Sequence, residues 1–238
     1  MGDFGRKVDK FLDVHLNKGG MDSVLQGLQN TLIIAVSGLI IGVIIGIIIA
    51  MVRVLPKTNV IVKFFNGVCS LYVALFRGTP MVVQLLVFYY VLLPIMGLRL
   101  SSVMVSAVVF GLNSGAYVSE IIRAGILSVD NGQMEGGRAI GLSYGATMRL
   151  IVIPQAVKNV LPTIGNEFIS LIKETSVVSF VGATDLYVAF NYIGSNSYEF
   201  MVPYLVMAII YIVLVLILSL LVRLMERSLR KSDKSIGA

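Results

Sequence analysis

Thr163, Glu167, Ser170 and Glu174 recur every three or four residues in an otherwise apolar stretch, and Asn166, Ser170 and Lys173 make a second row beside them. Residues three and four apart share a helix face, so this stretch carries a polar stripe with two carboxylates and one ammonium. Grouped carboxylates attract a cation, and the ammonium can hold a carboxylate. A zwitterionic or basic amino acid suits that set of charges better than a sugar, which would call for aromatic stacking. The competing reading is a structural network in which Lys173 neutralises one glutamate and ties two helices together. Asn113, Tyr117 and Glu120 form another stripe with the same spacing, able to line a cavity unless Glu120 is spent on Arg123 one turn away. Gln84 follows Gly78-Thr79-Pro80 on a face with Phe88 and Val91, where it suits cavity lining or gating as well as packing. Bond-making chemistry has little to work with. The chain has one cysteine, Cys69, and one histidine, His15, each without a partner at ligand spacing, so the sequence offers no metal site, internal disulfide or histidine-based triad.

The elements that carry these stripes must lie in a membrane. Of 238 residues 57% are apolar and only 13% charged, with a mean hydropathy of +0.90, where a soluble protein has about 25% charged residues. A spanning helix needs about 20 apolar residues, and the pattern predicts an all-α integral membrane protein with five of them, at about 25–52, 64–96, 103–127, 155–181 and 200–222. A polar leader, 1–22, precedes a transmembrane domain, 23–230, and a basic tail, 231–238, follows. The first apolar run is too long for the core of a cleaved signal peptide, so it reads as a permanent span. Gly38, Gly42 and Gly46 give that span a side-chain-free stripe for close helix packing. Residues 182–199 read as a polar loop with an amphipathic core from Leu186 to Ile193. Lysines and arginines favour the cytoplasmic side. Arg53, Lys57 and Lys63, then Arg138 and Arg149, then Arg223, Arg227, Arg230, Lys231 and Lys234 mark three such regions, so the N-terminus is expected outside and the C-terminus inside. The net charge of +6 then belongs to the inner membrane surface and not to nucleic acid.

Between the third and fourth runs lies a polar segment, 128–154, with a short helical stretch from Gln133 to Ala139 that stops at Gly141, a residue suited to a helix C-terminal cap. Glu135, Gly136, Gly137, Arg138, Ala139 and Gly141, followed by Ile151 and Pro154, resemble the EAA loop of ATP-binding-cassette (ABC) importer permeases. The sequence departs from that pattern at Gly136 and Gly137, usually alanines, and at Ile153, usually leucine. Phe76-Arg-Gly-Thr-Pro80 with Gln84, Asn113 to Gly125, and Ser170 to Ser176 resemble the permeases of polar amino-acid importers of the histidine and glutamine group, so that the likeness extends from about Leu25 to Arg227.

The resemblance implies the type I ABC importer permease fold in a bacterial cytoplasmic membrane, with segment 128–154 as a cytoplasmic coupling-helix hairpin. It also implies a second permease subunit, identical or not, two ATPase subunits that bind ATP and magnesium, an extracytoplasmic solute-binding protein and an amino-acid substrate moved by alternating access. The sequence lacks a phosphate-binding loop of the GxxxxGK[ST] type, so no cofactor or enzymatic activity is expected in this chain. Two other readings of the residues are an ion-coupled secondary transporter, using Glu167, Glu174 and Lys173 as a relay, and a membrane scaffold whose charges only join helices.

Overall fold

The computed structural model describes residues 2–56 and 59–234, with side chains through residue 229. Among them every regular element is a helix: α1 (Asp3–Asn17), α2 (Gly20–Val54), α3 (Val60–Gly78), α4 (Met81–Ile95), α5 (Ser102–Leu127), α6 (Asn131–Ala139), α7 (Tyr144–Val181), α8 (Leu186–Ser197) and α9 (Met201–Lys234). α2, α3, α5 and α9 are each long and apolar enough to cross a membrane. α7 and α8, bent by 56° at the break between them, can be taken together as a fifth span.

The centre of the bundle is α2 packed along α5. Gly38, Gly42 and Gly46 face Phe110, Ser114 and Val118 in that order, so the two helices run parallel. A Cβ on Gly42 would lie 2.7 Å from the Ser114 Cβ, and one on Gly46 would lie 2.6 Å from Val118 Cγ1. Gly111 and Gly115 return the contact against Ile41 and Ile45. Only helices without side chains on the facing surfaces approach this closely. Because α2 and α5 are parallel, the end of α2 lies beside the α5–α7 hairpin, while its start lies at the opposite end with α1 and α8.

The helix breakers Arg77-Gly-Thr-Pro80 inside the run expected at 64–96 interrupt it at Thr79-Pro80, and several other boundaries differ from the sequence expectation. Proline has no N–H and forces the residue before it towards extended backbone, and Thr79 has φ −121° and ψ 146°. The expected span 155–181 is the upper part of a helix that already begins at Tyr144. Pro154 fits inside it because Met148–Val152 forms a π turn, closed by Ile153 N–H donating to the Met148 carbonyl. The wider turn displaces the carbonyl that a proline ring would strike in a regular α-helix. Phe88–Leu92 repeats this device ahead of Leu93-Pro94 in α4.

Most of the polar leader forms α1, whose Phe11 and Val14 are buried with Leu186, Phe190 and Ile193 of α8 and Val202 of α9. Residues expected to form a loop around Leu186 make α8, capped by Asp185, which accepts Val188 N–H at 3.0 Å. α9 continues well past residue 222. Lys57, the side chains of Arg230, Lys231 and Lys234, and residues 235–238 lie outside the described set.

Candidate functional site

The break between α3 and α4 opens a cavity of about 260 Å³ at the level of Asn113, midway along α5. Thr79, Pro80 and Met81 form one wall, Asn113 and Tyr117 of α5 another, and Glu167, Ser170 and Glu174 of α7 the third. Five residues predicted from two separate stripes therefore meet in one space. Glu167 and Glu174 have no ion-pair partner within 4 Å among the described residues. Two carboxylates without an ion-pair partner give the cavity a surface that attracts cations.

Gln84 lies behind this wall and does not line the cavity. It is buried, and its amide nitrogen donates to the Phe76 carbonyl at 2.8 Å and to the Thr79 carbonyl and hydroxyl at 3.0 and 2.9 Å. Its amide oxygen accepts from Asn113 Nδ2 at 3.0 Å, and the same Asn113 group reaches the Phe76 carbonyl at 3.2 Å. These bonds satisfy backbone carbonyls that the interrupted helix leaves without N–H partners, a requirement that becomes severe away from water. The glutamine thus positions the wall, and both of its amide hydrogens are already used.

Lys173 corrects the expectation of a shared carboxylate and ammonium site. It lies on another face of α7, lining a separate, mostly apolar cavity of about 540 Å³ with Ser176 and Tyr187 and with Tyr211 of α9. Asn166 shares that side of the helix and is exposed. The ammonium is directed out of the carboxylate cavity by geometry alone.

Towards the hairpin end, a second cavity of about 500 Å³ touches the first at Tyr117, and Glu120, Thr163 and Arg77 are among its walls. Glu120 is not free there. It pairs with Arg53 at the end of α2, with Arg123 at 2.9 Å, and with Arg77 at 4.0 Å. Arg123 was foreseen as a partner, whereas Arg53 and Arg77 come from α2 and α3 and have no sequence spacing that would announce them. The Arg77 guanidinium also sits 5.2 Å from the centre of the Tyr117 ring, within cation–π range. A chamber with two carboxylates thus adjoins one that carries Arg77 and the paired Glu120, with Tyr117 at the boundary.

The hairpin is built by local rules. Asp130 caps α6 by accepting Gly132 N–H at 2.6 Å. At its other end Gly141 N–H donates to Arg138 O at 3.0 Å and Leu142 N–H to Gly137 O at 3.1 Å, while Gly141 takes φ +90°. This double bond pattern is a Schellman stop, which favours glycine at the left-handed position. Ser143 then caps α7. Gly137 is buried against Thr147, whose Cγ2 would lie 2.5 Å from a Cβ there, and Ile151 lies alongside. The glycine is fitted to that threonine. Gly136 has open space beside it, and Glu135, Arg138, Ala139, Ile140 and Pro154 face outward.

A family model described as binding-protein-dependent transport system inner membrane component matches residues 42–231. The chain is 39% identical over 210 residues, covering 88% of it and 94% of the relative, to the arginine transport system permease protein ArtQ of Bacillus subtilis (strain 168). It is 34% identical over 185 residues, 78% of it and 83% of the relative, to the putative glutamine transport system permease protein GlnP of Rickettsia typhi (strain ATCC VR-144 / Wilmington). A solved structure titled as an amino acid ABC transporter with histidines is similar with a TM-score of 0.81 and 39% identity, over 87% of this chain and 94% of that one.

Proposed function

The chain belongs to the family of inner membrane components of binding-protein-dependent transport systems, as an amino-acid ABC transporter permease, and on that premise we propose that it carries a basic amino acid inward by alternating access. The carrying observation is the cavity at the α3–α4 break, where Glu167 and Glu174 have no ion-pair partner within 4 Å among the described residues while Lys173 lines a different cavity. A cationic side chain supplies the missing charge. Asn113, Tyr117 and Ser170 complete the contact surface with neutral polar groups, and Arg77 and the Glu120 cluster bound the exit towards the hairpin. The names of the relatives support the amino-acid class, arginine among them.

We propose the remaining parts as well, supported by membership of the family and, for the orientation, by the distribution of lysine and arginine. The N-terminus lies outside and the hairpin and C-terminal tail lie in the cytoplasm of a bacterial cell. Two ATPase subunits supply ATP and magnesium, a second permease subunit completes the passage, and an external binding protein delivers the substrate. Glu135, Gly136, Arg138, Ala139 and Pro154 present the outer surface of the hairpin to an ATPase, while Gly137, Gly141 and Ile151 hold its shape. Nucleotide binding draws the hairpins together and shifts the passage between its two openings, a two-state element biased by ligands at each end.

The test is equilibrium binding of radiolabelled arginine, histidine, glutamine and glutamate to the detergent-purified complex, with and without Glu167→Gln plus Glu174→Gln. Saturable binding of a basic amino acid, weakened at least about tenfold (~1.4 kcal/mol) in the double variant, is expected. Equal binding of glutamate, or no binding by the unsubstituted complex, would move selectivity to the external binding protein.

A further inference from the structure

α1 has a wide apolar arc of which the bundle covers only part. On a helical projection Val14, Phe11, Phe4, Val8, Leu12 and Leu16 lie around one side, with Lys7 and His15 among them, and Asp3, Arg6, Asp9, Lys10 and Asp13 occupy the other. Phe11 and Val14 are buried against α8 and the start of α9. Phe4, Leu12 and Leu16 remain 56%, 42% and 63% exposed. Three polar contacts near its two ends fix the helix in place: Lys7 pairs with Glu199 at 3.5 Å, its Nζ lies 3.9 Å from Met201 Sδ, and the Lys18 carbonyl accepts from Tyr192 Oη at 3.0 Å.

These contacts place α1 across the end of the bundle opposite the hairpin, from the first residue of α9 to the first of α2. Exposed apolar side chains of those spanning helices begin at the same places: Met21 and Leu25 on α2, Met201 and Leu205 on α9. The uncovered arc of α1 is therefore continuous with the lipid-facing flank of two spans. A short helix with one charged side and one phenylalanine- and leucine-bearing side has the composition of a helix that lies in the membrane plane at the boundary of headgroups and acyl chains. We infer that α1 is an interfacial helix whose Phe4, Leu12 and Leu16 enter the leaflet at that end, with Arg6 and Lys10 kept among the headgroups. It fixes the depth of the α2 and α9 ends in the bilayer, a role separate from the passage.

The chain contains no tryptophan, so one introduced residue reports alone. Leu12→Trp, Leu16→Trp and Lys10→Trp, with Ile40→Trp on the exposed flank of α2 as a reference for insertion, are reconstituted as full-length chains. The vesicles are phosphatidylcholine with or without bromine on the upper acyl chain. Emission from Leu12→Trp and Leu16→Trp is expected to be lost to the brominated lipid as fully as that from Ile40→Trp, while Lys10→Trp, on the opposite side of the helix, keeps most of its emission. If positions 12 and 16 are spared like position 10 while position 40 is quenched, the proposal fails. A blue-shifted, unquenched signal would then assign the face to protein, and a red-shifted one to water.

Discussion

Glu120 is the residue on which the hairpin end of the bundle converges. Its carboxylate is the only acidic partner described for Arg53, Arg77 and Arg123, which come from three helices. Glu120→Ala would leave three guanidinium groups facing one another in a partly buried space, a loss of about 1–3 kcal/mol. Unfolding of the detergent-solubilised chain should register it as a lowered midpoint. Asp13→Ala breaks an exposed pair with Lys18 and an exposed hydrogen bond from Asn17 and should shift the midpoint far less. Residues of one helix were partly legible beforehand. Glu167, Ser170 and Glu174 fall within roughly 60° of one another on a helix, so their common cavity was implicit in spacing. Lys173 lies about 120° from Glu167 on the same projection, but which neighbour each side faces depends on how α9 and α5 flank α7, which no spacing within α7 records. Gln84 was ambiguous for a related reason: an amide that lines a cavity and one that repairs a broken helix look identical until the carbonyls of Phe76 and Thr79 are seen beside it.

Elements differ in how far local pattern specifies them. The glycine stripe of α2 announced a close neighbour, and α5 answers it with Gly111 and Gly115. Gly42→Ala would place a Cβ 2.7 Å from that of Ser114 and force the two helices apart, at a cost of about 1–3 kcal/mol by overpacking. Gly67→Ala in α3 meets nothing within 4 Å and should instead stabilise its helix by about 0.5–1 kcal/mol. Thermal unfolding of the two variants should move in opposite directions, and parallel gains would show that the α2–α5 contact tolerates the extra carbon. α1 escaped the sequence reading because charges at every third or fourth position hid the recurrence of Val8, Phe11 and Val14. Its partner surface, α8, was itself taken for a loop. The break at Thr79-Pro80, by contrast, was written in the proline, and the early start of α7 was obscured by another proline whose cost the π turn removes.

At the scale of the molecule, the parallel pairing of α2 with α5 separates the hairpin from α1 along the length of the bundle. With Cys69→Ser as background, Gly136→Cys is expected to react with a membrane-impermeant maleimide only in inside-out vesicles, and to be protected when ATPase subunits are bound. Asp9→Cys should react only in right-side-out vesicles. Labelling of both from one face would reverse the proposed orientation of one end and reduce the spans to an even number. The composition foretold a membrane protein, and the spacing of the polar segment foretold a short helix stopped at Gly141, but neither fixed how that hairpin is aimed relative to the cavity. That aim depends on the π turn at Met148–Val152. One continuous helix carries Thr147, seated on Gly137, at its foot and Glu167 near its middle, and each residue advances a helix by about 100°. The turn's extra residue therefore acts as a protractor. One residue more or fewer there would preserve every group in the cavity and every group in the hairpin, yet point them at different neighbours.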